Sequence, residues 1–180
     1  MKKTSLLMIF LFVIAACGAV VIAGDIEYLN EQMLAFALGH MGQKIGRGEC
    51  WDLAAQPLNE LGASWDGHWG FGKKVAGGGA SGLKLEKDAS LMPGDIIHFM
   101  KVKASWTKTY PNGSREWGSE TLGMPDHVAF LKEYDGKTTL TLLHQNVNKK
   151  RYLVETTLDI ANIKSGTYYI YRPWRAKVSK

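Results

Sequence analysis

The chain has 180 residues, a formal net charge of +5 and a 46% share of hydrophobic residues. This size and composition fit one domain with a single hydrophobic core, and no linker or internal repeat divides it. The chain contains only two cysteines, one of which lies in the apolar N-terminal stretch. A framework of disulfide bonds within the folded domain is therefore excluded.

The first 23 residues have the composition of a targeting segment. Two lysines at the start are followed by an apolar stretch over 6–16 and by small residues before Gly24. We expect a signal peptide over residues 1–23 that is cleaved before Gly24. Two alternatives stay open, namely lipidation at Cys17, which ends a lipobox-like sequence, and an uncleaved membrane anchor. Each of them predicts a secreted or otherwise extracytoplasmic protein, lipid-anchored in the case of Cys17.

Without this leader, residues 24–180 form a single predicted domain. Its net charge falls from +5 to about +3, because the leader carries two lysines and no acidic residue. Much of the remaining charge lies after residue 148, where eight Lys and Arg residues stand against two acidic ones. This basic C-terminus suits an anionic cell-wall polymer or membrane surface. The interpretation that we favour from the sequence is a solvated, frayed terminus.

Hydrophobic periodicity predicts two helices in the first part of the domain. Apolar residues recur at helical spacing over 26–41, and a second helical pattern runs over 50–61 before a glycine. Residues 63–92 are rich in glycine and are expected to form loops. Their glycine run lacks the sequence frame of a phosphate loop, so we assign it no nucleotide-binding role.

The second half of the domain changes to the alternating pattern of strands. Asp135-Gly136 between two apolar segments is a strong hairpin signal. A polar, aromatic insertion at 104–125 precedes this hairpin and contains an N-glycosylation sequon at Asn112. Helices followed by an antiparallel sheet indicate an α+β fold with the N-terminal helices packed on the sheet. The predicted strands cover residues 96–99, 128–134, 138–143, 152–156 and 167–171.

Cys50 stands where a glycine-broken loop turns into the second helix. Unpaired backbone N–H groups and the positive end of the dipole at a helix start favour a thiolate, the form that attacks electrophiles. A lone cysteine also has a structural interpretation, because it is often a small core hydrophobe. An unpaired thiol in an oxidising compartment is a liability unless it is buried or used.

Two histidines and an amide follow at a spacing that suits a thiol hydrolase. His127 opens a predicted strand, and His144 and Asn146 end the next strand of the same hairpin. Antiparallel pairing allows a contact from His127 to His144 or to Asn146, which would hold the imidazole with one nitrogen facing the sulfur. The backbone N–H of Cys50, and less strongly the side chain of Gln43, are candidates for stabilising an oxyanion.

Four sequence blocks carry a resemblance to known proteins: Gly48-Glu49-Cys50-Trp51-Asp52-Leu53-Ala54, Pro93-Gly94-Asp95-Ile96-Ile97-His98-Phe99, Asp126-His127-Val128-Ala129-Phe130 and His144-Gln145-Asn146. Over about residues 40–172 the chain resembles the NlpC/P60 and CHAP cysteine-peptidase superfamily. It resembles still more closely the cysteine-proteinase-fold domain of fungal myosin-interacting actin-patch proteins. The resemblance implies a papain-like fold with Cys50 as nucleophile, His127 as base, His144 as orienting residue and Asn146 as an auxiliary polar group. CHAP domains usually have a carboxylate at the third position, whereas NlpC/P60 members often have a histidine.

The leading hypothesis is a secreted papain-like cysteine hydrolase, a peptidase or amidase that cleaves amide bonds in peptidoglycan-type or related γ-linked peptides. The resemblance implies no metal and no organic cofactor, and we expect a monomer without a nucleic-acid partner. A second hypothesis is an inactive binding module with the same fold and an aromatic cleft of Trp65, Trp69 and Trp106. A third, zinc bound by Cys50 and the two histidines, has a ligand spacing that matches no compact zinc motif.

Overall fold

The computed structural model describes residues 26–177, so the predicted signal peptide and its two alternatives lie outside the described residues. The described part is a mixed α/β structure with two helices and an antiparallel seven-stranded sheet in the order β3-β2-β8-β4-β5-β6-β7, which agrees with the predicted α+β class. A second sheet contains only β1 and β9. The elements are β1 (Ile26–Tyr28), α1 (Asn30–Gly39), α2 (Cys50–Glu60), β2 (Lys73–Gly79), β3 (Gly82–Leu85), β4 (Ile96–Thr109), β5 (Arg115–Tyr134), β6 (Thr139–His144), β7 (Val154–Asp159), β8 (Ile163–Arg172) and β9 (Trp174–Ala176), with a 3₁₀ turn at Ile160–Asn162.

The first predicted helix is shorter than expected, because its first residues form a strand. Ile26–Tyr28 pair with Trp174–Ala176 near the C-terminus, and α1 begins only after this strand. The side chain of Ile26 is 50% exposed. Backbone pairing, not burial of an apolar helix face, therefore decides the conformation of this segment. The remaining helix buries Met33 and Ala37, as its apolar spacing requires.

The glycine-rich segment that was expected to be a loop contains β2 and β3. β2 pairs with β3 on one side and with β8 on the other. A Cβ atom at Gly78 would stand 2.5 Å from the phenol oxygen of Tyr168 and 2.3 Å from the carbonyl oxygen of Gly82. Glycine thus allows a buried tyrosine of β8 to pack against this strand. The prediction of loops throughout residues 63–92 is wrong at these positions.

Residues 104–125, expected as an insertion, extend the hairpin of β4 and β5. The two strands stay paired as far as Thr109 with Arg115, whereas β8 pairs with β4 only as far as Ala104. The end of the hairpin is therefore a two-stranded arm that extends beyond the sheet. The sequon residue Asn112 lies in the exposed turn at the tip of this arm.

A bulge interrupts the hairpin at the base of the arm. Met100 pairs with Asp126 and Val102 pairs with Leu122. Three residues of β5, numbers 123–125, therefore oppose Lys101 alone, and Lys101 has a positive φ of 53°. Bulges of this kind bend a strand and often lie beside functional sites. We call residues 123–125 the β5 bulge.

The helices and the sheet share a hydrophobic cluster. Met33 of α1 and Leu53 of α2 belong to the same buried cluster as Phe130 of β5 and Leu143 of β6. Cys50 is also a member of this cluster. Full burial of such large apolar side chains contributes about 1.5–3 kcal/mol each. Within residues 26–177, no helix is long and apolar enough to cross a bilayer.

Ion pairs use several cations of the predicted basic terminus. The fully buried Asp95 accepts hydrogen bonds from Arg172 at 3.0 and 2.9 Å, and Arg175 lies 2.9 Å from Glu27. Loss of one partner from a buried ion pair typically costs about 3–5 kcal/mol. Residues 163–176 form β8 and β9, so the interpretation of this part as a frayed end is wrong.

Candidate active site

Cys50 is the first residue of α2, which ends at Glu60, one residue before its predicted end. The start of the helix is fixed by Asp52, whose Oδ2 accepts hydrogen bonds from the backbone N–H of Arg47 at 2.7 Å and of Glu49 at 3.3 Å. A carboxylate in the first turn satisfies donors that the helix leaves unpaired and complements its dipole. The local sequence thus places the thiol of Cys50 at a helix N-terminus.

Gln145 ties the loop before Cys50 to the end of β6. Its side-chain amide donates to the carbonyl oxygens of Ile45 at 3.0 Å and of Glu49 at 2.7 Å, and it accepts from the N–H of Ile45 at 3.1 Å. The Gln145 side chain is fully buried, so these bonds form without competition from water. They fix the position of Cys50 relative to His144, the residue before Gln145.

The sequence context suggested that His127 lies at the mouth of a strand. The structure instead places it inside a long strand. β5 continues on both sides of it, and His127 pairs with Phe99 of β4. The β5 bulge interrupts the regular pairing just before Asp126 and contributes Gly123 and Met124 to the pocket beside His127. The opening that we expected from a strand end is therefore produced by the bulge.

Cys50 and His127 line one pocket of about 180 Å³. Nε2 of His127 lies 2.9 Å from Nδ1 of His144. Nδ1 of His127 is therefore the ring nitrogen that remains for the thiol. In the described part of the chain, no hydrogen bond joins Sγ of Cys50 to this ring. The other residues that line the pocket are Thr121, Leu122, Gly123, Met124, Asp126, Asn146, Val147 and Asn148.

The electrostatic environment of Cys50 acts against a thiolate. Burial raises the pKa of the Cys50 thiol, and the charge of Glu49 acts in the same direction. The backbone N–H groups of Val128, Trp51 and Cys50 lower this pKa, but by less than burial raises it. The N–H groups at the helix start thus favour the thiolate as expected, but desolvation of the sulfur outweighs them and the pKa of Cys50 is raised.

The two histidines are neutral at neutral pH. Burial lowers the pKa of His127 to about 4, and burial together with the neighbouring His127 lowers the pKa of His144 to about 3. His127 is 5% exposed and His144 is fully buried. No carboxylate is hydrogen-bonded to either ring within residues 26–177. Near pH 7 the site thus holds a thiol and an imidazole, not a thiolate and an imidazolium.

Asn146 lines the pocket but is not hydrogen-bonded to His127. Its amide donates to Oε2 of Glu49 at 2.6 Å, while Arg151 donates to the other oxygen of the same carboxylate. Of the two partners that the sequence suggested for His127, the structure brings His144 into contact. Asn146 instead holds the residue that precedes Cys50.

The remaining histidine of the sheet has a different partner. Nε2 of His98 lies 2.8 Å from Oδ1 of Asp126, and the ring stacks on Trp69 with 4.5 Å between the ring centroids. His98 therefore belongs to a separate contact and does not line the pocket of Cys50. The proposed oxyanion donor Gln43 does not line the pocket, and its amide donates to the carbonyl oxygen of Gly39 at 3.4 Å.

The predicted aromatic cleft does not form as expected. Trp65 and Trp69 pack around Trp51, with ring centroids 5.6 and 4.8 Å from it. Trp106 instead lies on the two-stranded arm, where its ring packs over Gly118. The long hairpin carries Trp106 away from the other two rings, so the three tryptophans do not line one cleft.

One residue of the site was not identified from the sequence. Oγ1 of Thr156 lies 2.9 Å from Nε2 of His144. Thr156 is on β7, opposite Leu142 of β6, and only the register of these strands brings it to His144. A periodic pattern can predict the strand but not this register. Among the described residues, no group of three or more His, Cys, Asp or Glu side chains is arranged to hold a metal ion.

A cysteine at a helix start and a histidine on an antiparallel sheet, both facing one pocket, are the arrangement of a cysteine proteinase fold. Residues 26–180 match the family described as the AIM3/BBC1 cysteine proteinase-fold domain. The chain belongs to this family. The predicted cysteine-proteinase fold is thereby confirmed, whereas the finer assignment to NlpC/P60 or CHAP is not part of this finding.

The chain is also related in sequence to a curated protein. The chain is similar to "Altered inheritance of mitochondria protein 3" of Debaryomyces hansenii, with 28% identity over 156 residues. The match covers 82% of this chain and 16% of the relative, so the chain spans only a small part of the length of that protein. No solved structure matches the chain.

Proposed function

We propose that this domain is a cysteine hydrolase that cleaves amide bonds, with Cys50 as nucleophile and His127 as general base. One observation carries the proposal: the thiol and the imidazole line the same pocket, and the second nitrogen of the imidazole is held by His144 at 2.9 Å. Nucleophile, base and orienting group in this order are the parts that thiol hydrolysis requires.

The reaction starts from the neutral pair. Sγ of Cys50 attacks the carbonyl carbon of the substrate while its proton passes to Nδ1 of His127. The same proton is then given to the leaving amine as the C–N bond breaks, which leaves a thioester on Cys50. Water attacks the thioester with His127 again accepting the proton, and cleavage of the C–S bond releases the carboxylic acid and restores the thiol.

The lowered pKa of His127 means that the attack starts from a neutral imidazole and not from an ion pair. A base with a pKa of about 4 is unprotonated throughout the neutral range and can accept a proton during attack. The backbone N–H groups of Cys50, Trp51 and Val128 surround the sulfur. Such donors stabilise negative charge that develops during the reaction, on the sulfur or on an adjacent oxyanion.

We also propose the finer assignments on the basis of the sequence resemblance. These are a papain-like fold of the NlpC/P60 or CHAP type with both helices packed on the sheet, and peptidoglycan-type or γ-linked peptides as substrates. The histidine at position 144 supports the NlpC/P60 type. The leader supports an extracytoplasmic location, and the exposed Lys149, Lys150 and Lys164 support contact with an anionic cell-wall or membrane surface. We further propose that the domain acts as a monomer.

The test is labelling of Cys50 at pH 7 by a peptidyl acyloxymethyl ketone, followed by mass spectrometry. We expect the wild-type protein and H98A to be labelled, and labelling of H127A to fall at least about tenfold because the base is lost. H98A is the matched control, since it removes a buried histidine that does not line the pocket. Circular dichroism verifies that each variant is folded. Equal labelling of H127A and wild type would contradict catalysis.

The second candidate is a binding module that keeps the fold without catalysis. The raised pKa of Cys50 favours it, as does the lack, among the described residues, of a carboxylate hydrogen-bonded to His127. Its aromatic surface would be the cluster around Trp51, and not the cleft expected from the sequence. Failure of the wild-type protein to react with the ketone, together with normal folding, would favour this function.

A further inference from the structure

Thr156 extends the hydrogen-bonded chain behind the thiol by one residue. Nε2 of His127 meets Nδ1 of His144 at 2.9 Å, and Nε2 of His144 meets Oγ1 of Thr156 at 2.9 Å. His144 is fully buried, so neither of its ring nitrogens is open to solvent. Because each neutral imidazole has one N–H donor and one bare acceptor nitrogen, the two rings are linked in one direction or the other.

The hydrogen-bonded series of His127, His144 and Thr156 therefore has two possible proton arrangements. In the first, His127 donates from Nε2 to His144, and His144 donates from its Nε2 to the oxygen of Thr156. Nδ1 of His127 is then bare and can accept the thiol proton. In the second, Thr156 donates to His144, which donates from Nδ1 to His127. Nδ1 of His127 then carries a proton, and the ring cannot act as a base toward Cys50.

We propose that Thr156 is a positioning residue whose hydroxyl oxygen accepts the Nε2 proton of His144 and thereby keeps His127 in the form that can act as a base. The inference builds on the proposed function, because it assigns a role within the same site. Thr156 is only partly buried, and a hydroxyl oxygen can accept a hydrogen bond while its own proton points in another direction.

Removal of the hydroxyl reverses this preference. A valine at position 156 has nearly the same shape but leaves Nε2 of His144 facing a methyl group. A buried N–H without an acceptor is more costly than a bare ring nitrogen in the same place, since unpaired buried N–H groups are rare in proteins. The Nε2 proton of His144 then moves to Nδ1, and His127 takes its proton on the nitrogen that faces Cys50.

The experiment measures tautomers directly by long-range ¹H–¹⁵N NMR of the full chain at pH 7. In the wild type we expect His127 and His144 both protonated on Nε2. In T156V we expect both protonated on Nδ1, with the tautomer ratio shifted about 10- to 100-fold. T156S restores the wild-type pattern because it keeps the oxygen. His98, whose Nε2 faces Asp126, serves as the internal control and is unchanged in every variant.

A wild-type spectrum with His127 protonated on Nδ1 would overturn the proposal, and this result needs no variant. An unchanged tautomer in T156V would also overturn it. Amide spectra verify the fold of T156V, and T156A provides a second variant that lacks the oxygen. Failure of the hydrolase proposal looks different, since the wild type would then show the expected tautomers but no labelling of Cys50 by the ketone. If both proposals hold, labelling falls in T156V and recovers in T156S.

Discussion

The sheet holds two histidine pairs that differ in one respect. His98 is hydrogen-bonded to a carboxylate, Asp126, at 2.8 Å, whereas His127 is hydrogen-bonded to a second imidazole, His144, at 2.9 Å. Burial lowers the pKa of His98, but the carboxylate beside it acts in the opposite direction. Among the described residues, no carboxylate opposes the effect of burial on the pKa of His127, and this pKa falls to about 4.

This difference shows that the protein has a histidine–carboxylate pair whose imidazole, His98, does not line the pocket of Cys50, although Asp126 does. The pair that includes His127, which lines the pocket with Cys50, is the one without a charge near neutral pH. The raised pKa of Cys50 agrees with this, because burial disfavours a thiolate when no imidazolium stands next to it. Substitutions in these pairs can therefore test how a charge next to an imidazole affects the pKa of that imidazole and of Cys50.

The largest expected effect is on acid stability. His127 has a folded-state pKa of about 4 and an ordinary value of 6.5, so between these pH values the unfolded chain binds more protons. Its contribution to the free energy of unfolding is present above pH 6.5 and is lost as the pH falls toward 4, by on the order of 3 kcal/mol. Urea unfolding at pH 7.5 and 4.5 measures this loss.

The matched variant for this measurement is the double substitution H127N/H144N, which removes both buried imidazoles. We expect its stability to depend less steeply on pH over the same range, although its stability at pH 7.5 is lower. The comparison cancels the carboxylates that titrate in both proteins. Parallel pH dependence in the wild type and the variant would show that these rings do not set the acid response.

A smaller effect is expected when a carboxylate replaces the imidazole of His144. In H144D, a negative charge next to Nε2 of His127 should raise the pKa of that ring by at least about one unit, as opposite charges at this range generally do. The pKa of Cys50 should fall, because an imidazolium then stabilises the thiolate. NMR titration of His127 and the pH profile of alkylation by iodoacetamide measure the two changes. H144N is the control, and identical titration of the two variants would rule out the effect of charge.

The smallest expected effect concerns Glu49. Burial is the main reason for the raised pKa of Cys50, and the charge of Glu49 adds to it. E49Q removes the charge and keeps one of the two acceptor oxygens, so the alkylation profile should move to lower pH by less than about one unit. E60Q, which neutralises a carboxylate at the other end of α2, should leave the profile unchanged. Equal shifts in both variants would contradict a local effect.

The sequence predicted well the elements whose pattern is local. The start of α2 at Cys50 and the hairpin around Asp135-Gly136 appear where the periodicity and turn residues place them. Segments whose partners lie far along the chain were predicted less well. Residues 26–28 form a strand because residues 174–176 pair with them, and the glycines of β2 are strand residues because Tyr168 needs their space.

The same distinction between local patterns and distant partners applies to the candidate site. The order of Cys50, His127 and His144 indicated a thiol and an imidazole in one pocket, and the structure places them there. The role of Thr156 and the engagement of Asn146 with Glu49 could not be read from the sequence. Both depend on strand register and loop conformation, which no local pattern encodes.

The sequence by itself determined the class of fold, the helix start that presents Cys50, and the order in which the histidines follow. These depend on spacing, turn residues and helix-start chemistry within a few positions of each residue. Only the tertiary structure decided the charge state of the site. Burial of the sulfur and of both imidazoles, with no carboxylate hydrogen-bonded to His127 in the described residues, arises from packing between distant segments. This burial raises the pKa of Cys50 despite the helix terminus and lowers the pKa of both imidazoles.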